Sequence, residues 1–337
     1  MTGSPNDLPG EGLARFLAEA WGAPVTVEHL SAATTGARRR NLLFDARCGG
    51  TSHALVATVI PAASIQQMEV VDEASVLRLA EAGGVPAPHV HAVCGDPAYA
   101  GGPFFVTSRI EGVTIPRQVL RLVATTPGLG PALGRQIGEA MARLHTVDPR
   151  RVPAGVPRPA GGSSVEAQLE HVDILMGELL QPSPAFRLAY RWLDRHRPAV
   201  SPGSTLVHSD CRNGNIVVGC DGLRAVLDWE GAHLGDPMED PAWMCVRMWR
   251  FRNDTAEAGG FATRDDLRAG YCEAGGTWDG DAFAWWKVLT TMRWGLGLAG
   301  QARAHLDGSF RSIVMAASGR RVAELEYDTL MLLRGAY

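Results

Sequence analysis

The run from Ser204 to Trp243 leaves this chain little freedom in what it can fold into. An apolar pair, Leu206-Val207, leads straight into a polar loop that holds His208, Asp210 and Asn215. A second apolar run, Ile216-Val217-Val218, ends at Gly219, and Asp221-Gly222 is a residue pair that hairpin turns favour. A third run, Leu223 to Leu227, delivers Asp228, followed by Trp229 and Glu230 and then by Gly235-Asp236-Pro237-Met238-Glu239-Asp240. The pattern predicts short strands joined by a tight turn, with two carboxylates and an amide at the ends of neighbouring strands.

Those residue types suit phosphoryl transfer. Asp210 is a candidate to accept the proton of an attacking hydroxyl. Asn215 and Asp228 offer hard oxygen ligands to Mg²⁺, which prefers few protein ligands and completes its shell with phosphate and water. Arg212 has two readings: it neutralises charge on the transferred phosphoryl group, or it partners a neighbouring carboxylate. Glu230 is close enough in sequence to touch a metal or a substrate amine, with a salt bridge as the other option. His208 reads as a structural histidine, and Cys211 as a small space-filler. Asp236 and Asp240 read as buried carboxylates that accept backbone N–H bonds and hold the loop, with metal binding as the alternative.

The spacing His208-x-Asp210-x-x-x-x-Asn215, the Asp228-Trp229-Glu230 run on the next hairpin and the Gly-Asp-Pro-x-x-Asp of 235–240 together resemble the catalytic core of the aminoglycoside/choline phosphotransferase family, which has a protein-kinase-like fold. The chain is similar in look to bacterial phosphotransferase family proteins that resemble the kinase-like domain found with acyl-CoA dehydrogenases. The stretch from Trp285-Trp286 to Gln301 carries the same likeness, which runs from about residue 25 to the C-terminus. The resemblance implies an α+β, two-lobed fold. Residues 1–112 would form a small antiparallel-sheet nucleotide-binding lobe, and residues 113–337 a mainly helical lobe with the catalytic loop and substrate cleft.

Apolar spacing predicts a first helix over 12–21, strands over 25–30, 42–47 and 54–60, a helix over 65–82, and strands over 89–94 and 104–110. Beyond the linker, helices are predicted over 132–145, 165–180, 185–197, 267–274, 281–304 and 309–333. By resemblance, the loop around Gly36 covers nucleotide phosphates, and the linker over Thr107–Gly112, with Ser108 and Ile110, offers backbone groups to a purine edge. Glu73, or alternatively Glu69, is the helix glutamate that pairs with a strand Lys or Arg. That basic slot is held here by Thr58, and the chain's only lysine is Lys287. Either the nucleotide is held weakly, or Arg38, Arg39 or Arg40 moves into the gap from the neighbouring strand, since guanidinium is a good phosphate partner. The expectation adopted is the second, with Arg39 at the nucleotide.

The implied activity is Mg²⁺- and ATP- or GTP-dependent phosphorylation of a small-molecule hydroxyl, the acceptor being a metabolite or an antibiotic such as an aminoglycoside. The rival is a nucleotide-binding pseudokinase or scaffold, favoured by Thr58. A protein kinase is disfavoured by Asp-Trp-Glu in place of Asp-Phe-Gly. Trp243, Arg247, Trp286 and Arg293 are the hints toward an acceptor cleft, although aromatics at helical spacing are more often core. A net charge of −4 gives no argument for nucleic acid or an anionic membrane. No apolar run reaches the roughly 18 residues of a membrane span, and the first residues lack the layout of a signal peptide. Six scattered cysteines predict reduced thiols and a cytoplasmic setting.

Overall fold

Strands whose side chains alternate between two faces organise the first part of the computed structural model, which describes residues 9–33, 39–61, 68–198 and 205–335. Helix α1 (Gly10–Trp21) precedes β1 (Val25–Ala32), β2 (Arg40–Cys48) and β3 (Thr51–Val59); helix α2 (Val70–Ala82) then leads to β4 (Val90–Cys94) and β5 (Phe104–Ser108). The five strands form one antiparallel sheet in the order β1-β2-β3-β5-β4. Leu42, Phe44, Leu55, Ala57, Val59, Phe104 and Val106 point to one face and close over Leu13 and Leu17 of α1. Phe105, of opposite parity, joins α2 and the second core on the other face. Thr58 is registered opposite both Phe105 and Asn41, so all three share the α2 face.

The rest is mainly helical. It comprises α3 (Pro116–Thr125), α4 (Leu129–His145), α5 (Ser164–Gly177), α6 (Pro184–Arg195), the short strands β6 (Thr205–Val207), β7 (Ile216–Gly219), β8 (Gly222–Val226) and β9 (His233–Gly235), then α7 (Glu239–Met244), α8 (Arg264–Glu273), α9 (Gly280–Leu306), α10 (Ile313–Ser318) and α11 (Val322–Leu333). Helices α4 and α8 meet backbone to backbone: a Cβ on Gly138 would lie 2.1 Å from the Leu267 carbonyl. The apolar strands that flank the 208–215 loop (Leu206, Val207, Ile216, Val217, Val218) are buried, each such side chain contributing about 1.5–3 kcal/mol. The two-lobed α+β architecture is the one the sequence implies.

Three elements differ from the sequence expectation. Helix α3 arises inside a segment with no resolved prediction, started by Pro116 at its first turn. Strand β9 pairs with β6, an association between segments too far apart in sequence for periodicity to register. The single helix expected over 309–333 is broken between α10 and α11, where Gly319 passes so close to α9 that a Cβ would sit 2.5 Å from that of Ala302. Among the described residues no helix is long and apolar enough to cross a membrane.

Candidate active site

The loop between β6 and β7 is held from three sides. Pairing of Val207 with His233 and of Thr205 with Gly235 brings the 235–240 run beside the loop. Asp240 then accepts the backbone N–H of His208 (2.9 Å) and of Ser209 (2.7 Å), and His145 Nε2 lies 3.1 Å from it. His208 is the second brace: its Nδ1 accepts the Asp210 N–H (3.2 Å) and its Nε2–H donates to the Leu227 carbonyl (3.1 Å). That ring is buried, and burial holds its pKa below the usual histidine value. A neutral structural role therefore follows from its contacts. The third brace is Ser209 Oγ, which donates to the Gly231 carbonyl (2.7 Å) while Ser209 itself is left-handed at φ 65°. Asp228 shares that conformation at φ 66°. Two non-glycine residues in this costly region, one just before Asp210 and the other Asp228 itself, mark backbone held in place by its surroundings.

The β7–β8 hairpin sets the next distance. Leu227 N–H donates to the Asn215 carbonyl (2.8 Å), so the residue before Asp228 is fastened to Asn215 itself. Asn215 Nδ2 donates to Asp210 Oδ2 (2.6 Å) and to the Asp210 carbonyl (3.0 Å), which leaves its Oδ1 as an acceptor for a cation. Asp210 Oδ1 accepts from Arg212 Nε (3.0 Å) and from Trp243 Nε1 (2.9 Å). The Asp228 carboxylate has no hydrogen bond among the described residues. Desolvation by the groups packed round its carboxyl, reinforced by the Glu230 and Asp210 carboxylates, pushes its pKa up to about 7, although the residue itself stays open to solvent. A carboxylate crowded by carboxylates and open to solvent is short of positive charge, and a hard divalent cation can reach and supply it. The donor set Asn215 and Asp228 thus fits Mg²⁺. Among the described residues no three His, Cys, Asp or Glu side chains converge as a closed metal site, so a cation held by Asn215 and Asp228 would need further ligands from outside the protein.

Above this loop lies the α2 glutamate. Glu73 is on the buried stripe of α2 with Val76, Leu77 and Ala80. Arg39, immediately before β2, turns Nη1 to both Glu73 oxygens (2.8 and 2.9 Å) and Nε to Glu230 Oε2 (2.7 Å). Burial pushes the Glu73 pKa up, and Arg39 opposes that. Thr58, in the slot expected to be basic, donates its hydroxyl to Asn41 Oδ1 (2.9 Å). Arg40 instead reaches the Ala100 carbonyl (2.7 Å), and Arg38 and Gly36 lie outside the described residues.

A model of the phosphotransferase enzyme family matches residues 31–286. The chain belongs to this family. Mouse acyl-CoA dehydrogenase family member 10 is 26% identical over 271 residues, which is 73% of this chain but 24% of that protein; the chain spans about a quarter of the length of that relative. Two solved structures share the fold. An aminoglycoside phosphotransferase in complex with GDP and kanamycin aligns with a TM-score of 0.66 and 14% identity over 94% of this chain and 98% of its own. The macrolide 2'-phosphotransferase MphH from Brachybacterium faecium aligns with a TM-score of 0.62 and 17% identity over 93% of this chain and 97% of its own.

Within this family member, the linker residues are placed differently from one another. Ser108 ends β5, its N–H bonded to the His89 carbonyl and its Oγ 2.9 Å from His91 Nε2. Ile110 lies just beyond the strand, and none of its backbone groups is hydrogen-bonded among the described residues. Arg212, bonded to Asp210, also lies over the Trp249 ring (4.6 Å). Of the acceptor hints, Trp286 is core, Arg247 pairs with Asp254 and Asp328, and Arg293 pairs with buried Glu239. Trp243 alone of the four reaches Asp210. Sequence reasoning missed that bond and the Arg39–Glu230 contact, because both join elements whose proximity no spacing encodes.

Asp240 carries a stability prediction. Burial alone would raise its carboxyl, but the His145 ring and the His208 N–H hold it below the usual carboxylate range. A depressed folded value stabilises above the unfolded value of about 3.9 and loses that contribution as pH falls below it. Asp240→Asn is therefore expected to be about 3 kcal/mol less stable in urea at neutral pH, with the gap narrowing at about pH 3. A gap of equal size at both pH values would disprove this account.

Proposed function

We propose that the chain transfers the γ-phosphoryl group of ATP or GTP to a hydroxyl of a small molecule, a metabolite or an antibiotic. Asp210 is the base, and Asn215 and Asp228 hold Mg²⁺. The observation that carries the reading is the state of Asp210: Arg212 and Trp243 fix one carboxylate oxygen and Asn215 fixes the other. A carboxylate oriented this way positions a hydroxyl for in-line attack, and positioning with charge neutralisation is most of the catalysis in this reaction class. Asn215 and Asp228 would hold the Mg²⁺, whose positive charge would offset the negative charge of the phosphates. Arg39 would supply the fixed cation beside the phosphates, with Gly36 and the Thr58 strand above them and the free backbone of Ile110, next to Ser108, facing the purine. A structural neighbour that holds both GDP and kanamycin supports a nucleotide and a small-molecule acceptor as the two ligands. We place the lobe boundary at residue 112, because Gly112 (φ 151°) lets the chain pass within contact of Val217 and Val218, and a side chain there would clash.

The pseudokinase reading has one observation in its favour, Thr58 in the basic slot; the Arg39–Glu73 pair weighs against it. A nucleotide-consumption screen over hydroxylated metabolites and antibiotics tests the proposal. Nucleotide consumption dependent on one acceptor supports it; tight nucleotide binding with no turnover over the whole panel supports the pseudokinase. In the same assay Asp228→Asn should abolish Mg²⁺-dependent nucleotide binding, because an amide is a poorer ligand than a carboxylate for a hard dication. An unchanged Mg²⁺ titration would remove Asp228 from the metal site.

A further inference from the structure

The side of Asp210 away from Asn215 is built from tryptophan. Trp243 on α7, Trp249 in the turn Arg247–Arg250 and Trp294 on α9 touch one another, with ring centroids 5.4, 5.8 and 5.1 Å apart. The indole N–H of Trp243 is spent on Asp210. Those of Trp249 and Trp294 are buried and find no acceptor among the described residues. A buried donor without a partner is costly; Trp286 carries another in the core, but only Trp249 and Trp294 hold theirs in the cluster that touches the Asp210 partner Trp243.

The charge around the cluster is equally one-sided. The Arg212 guanidinium lies 4.6 Å from the centroid of Trp249, and that of Arg293 lies 5.2 Å from the centroid of Trp243. Aromatic faces that would receive an ammonium group already face cations. The carboxylates those guanidiniums touch, Asp210 and Glu239, are engaged by them. The backbone after the cluster is also held under strain. Phe251 (φ 49°) and Arg252 (φ 76°) are consecutive left-handed residues, and Asn213 of the catalytic loop donates to the Gly259 carbonyl (2.8 Å) to hold this loop beside it. Strain of this kind is retained where a site needs it.

We infer that the indole N–H groups of Trp249 and Trp294 form an oxygen-binding subsite for the acceptor. It takes a carbonyl or carboxylate oxygen carried near the reacting hydroxyl and rejects an ammonium group at the same place. The inference rests on Asp210 being the base of a small-molecule phosphotransferase and names the class of acceptor that base would serve.

The test uses the full chain with ¹⁵N-labelled tryptophan, Mg²⁺ and a non-hydrolysable ATP analogue, and three rigid alcohols: 4-(hydroxymethyl)benzoate, 4-(hydroxymethyl)benzamide and 4-(hydroxymethyl)benzylamine. The nine indole N–H signals are followed during titration and assigned with Trp249→Phe and Trp294→Phe, which keep a ring and remove the donor. The benzoate, the benzamide or both should move the Trp249 and Trp294 signals together, and the benzylamine neither. Response to the benzoate alone identifies a carboxylate site, and response to both a carbonyl-type site. Each Phe variant should weaken the responding probe by at least roughly fivefold, as expected for one lost hydrogen bond, with its melting temperature close to that of the parent. Equal movement by the benzylamine, or no movement by any probe, overturns the inference. The readout needs no turnover, so a chain that binds the oxygen probes yet consumes no nucleotide with any acceptor refutes the kinase reading and leaves the subsite standing.

Discussion

Asp210→Asn is expected to lower kcat by about a thousandfold, or about 4 kcal/mol of barrier, on whichever acceptor the nucleotide screen identifies. The amide is nearly isosteric and its oxygen still accepts from Trp243 and Arg212; its NH2 loses the bond from Asn215 Nδ2, but the bond from Asn215 Nδ2 to the residue 210 carbonyl (3.0 Å) still ties the loop together. What the amide lacks is the charge that draws the hydroxyl proton. Nucleotide affinity should stay within about twofold of the parent if, as proposed, Asp210 meets the acceptor and not the nucleotide. A variant that keeps kcat within about tenfold of the parent would show that the base is another group.

Arg39→Ala is expected to have two separable effects. The first is on stability. Glu73 is 2% exposed at its side chain and Arg39 12%, so removing the guanidinium strands a buried carboxylate and costs about 3 kcal/mol. The second is on nucleotide affinity, which should fall by about a hundredfold because no lysine replaces the lost cation. Combining Arg39→Ala with Glu73→Gln separates them. The double variant should regain most of the stability, since the glutamine leaves no buried charge, but none of the affinity. If the double variant recovers both, Arg39 is a structural partner of Glu73 and does not meet the phosphates. Thr58→Lys added to Arg39→Ala is the converse test: it returns a cation to the slot on the same sheet face and should restore part of the affinity.

The two residues of that second experiment show where reading the sequence stops. The catalytic loop was legible because its chemistry lies within one short covalent span. His208, Asp210 and Asn215 belong to one loop, and Asp221-Gly222 forces the hairpin that returns Asp228 beside Asn215. Glu73 was legible as well, since its spacing from Val76, Leu77 and Ala80 puts it on the buried stripe of α2. Arg39 was only one of three candidates. Strand pairing separates the two described ones: Asn41 lies opposite Thr58, and Arg39, two residues before Asn41, projects to the same face as both, whereas Arg40 turns to Ala100. Choosing the cation therefore requires the register between β2 and β3.

Local spacing thus determined most of the strands, most of the helices and the 208–215 loop, because each depends on neighbours within one element or one turn, while the two-lobed class came from the resemblance that the loop's motif carries. Tertiary structure alone decided the rest. Pairing of β6 with β9 brings Asp240 under the His208 and Ser209 amides, and the packing of α7 and α9 sets Trp243 against Asp210 with Trp249 and Trp294 behind it. These contacts join residues separated by 26 or more positions, and nothing in the spacing along the chain encodes how closely two packed elements approach.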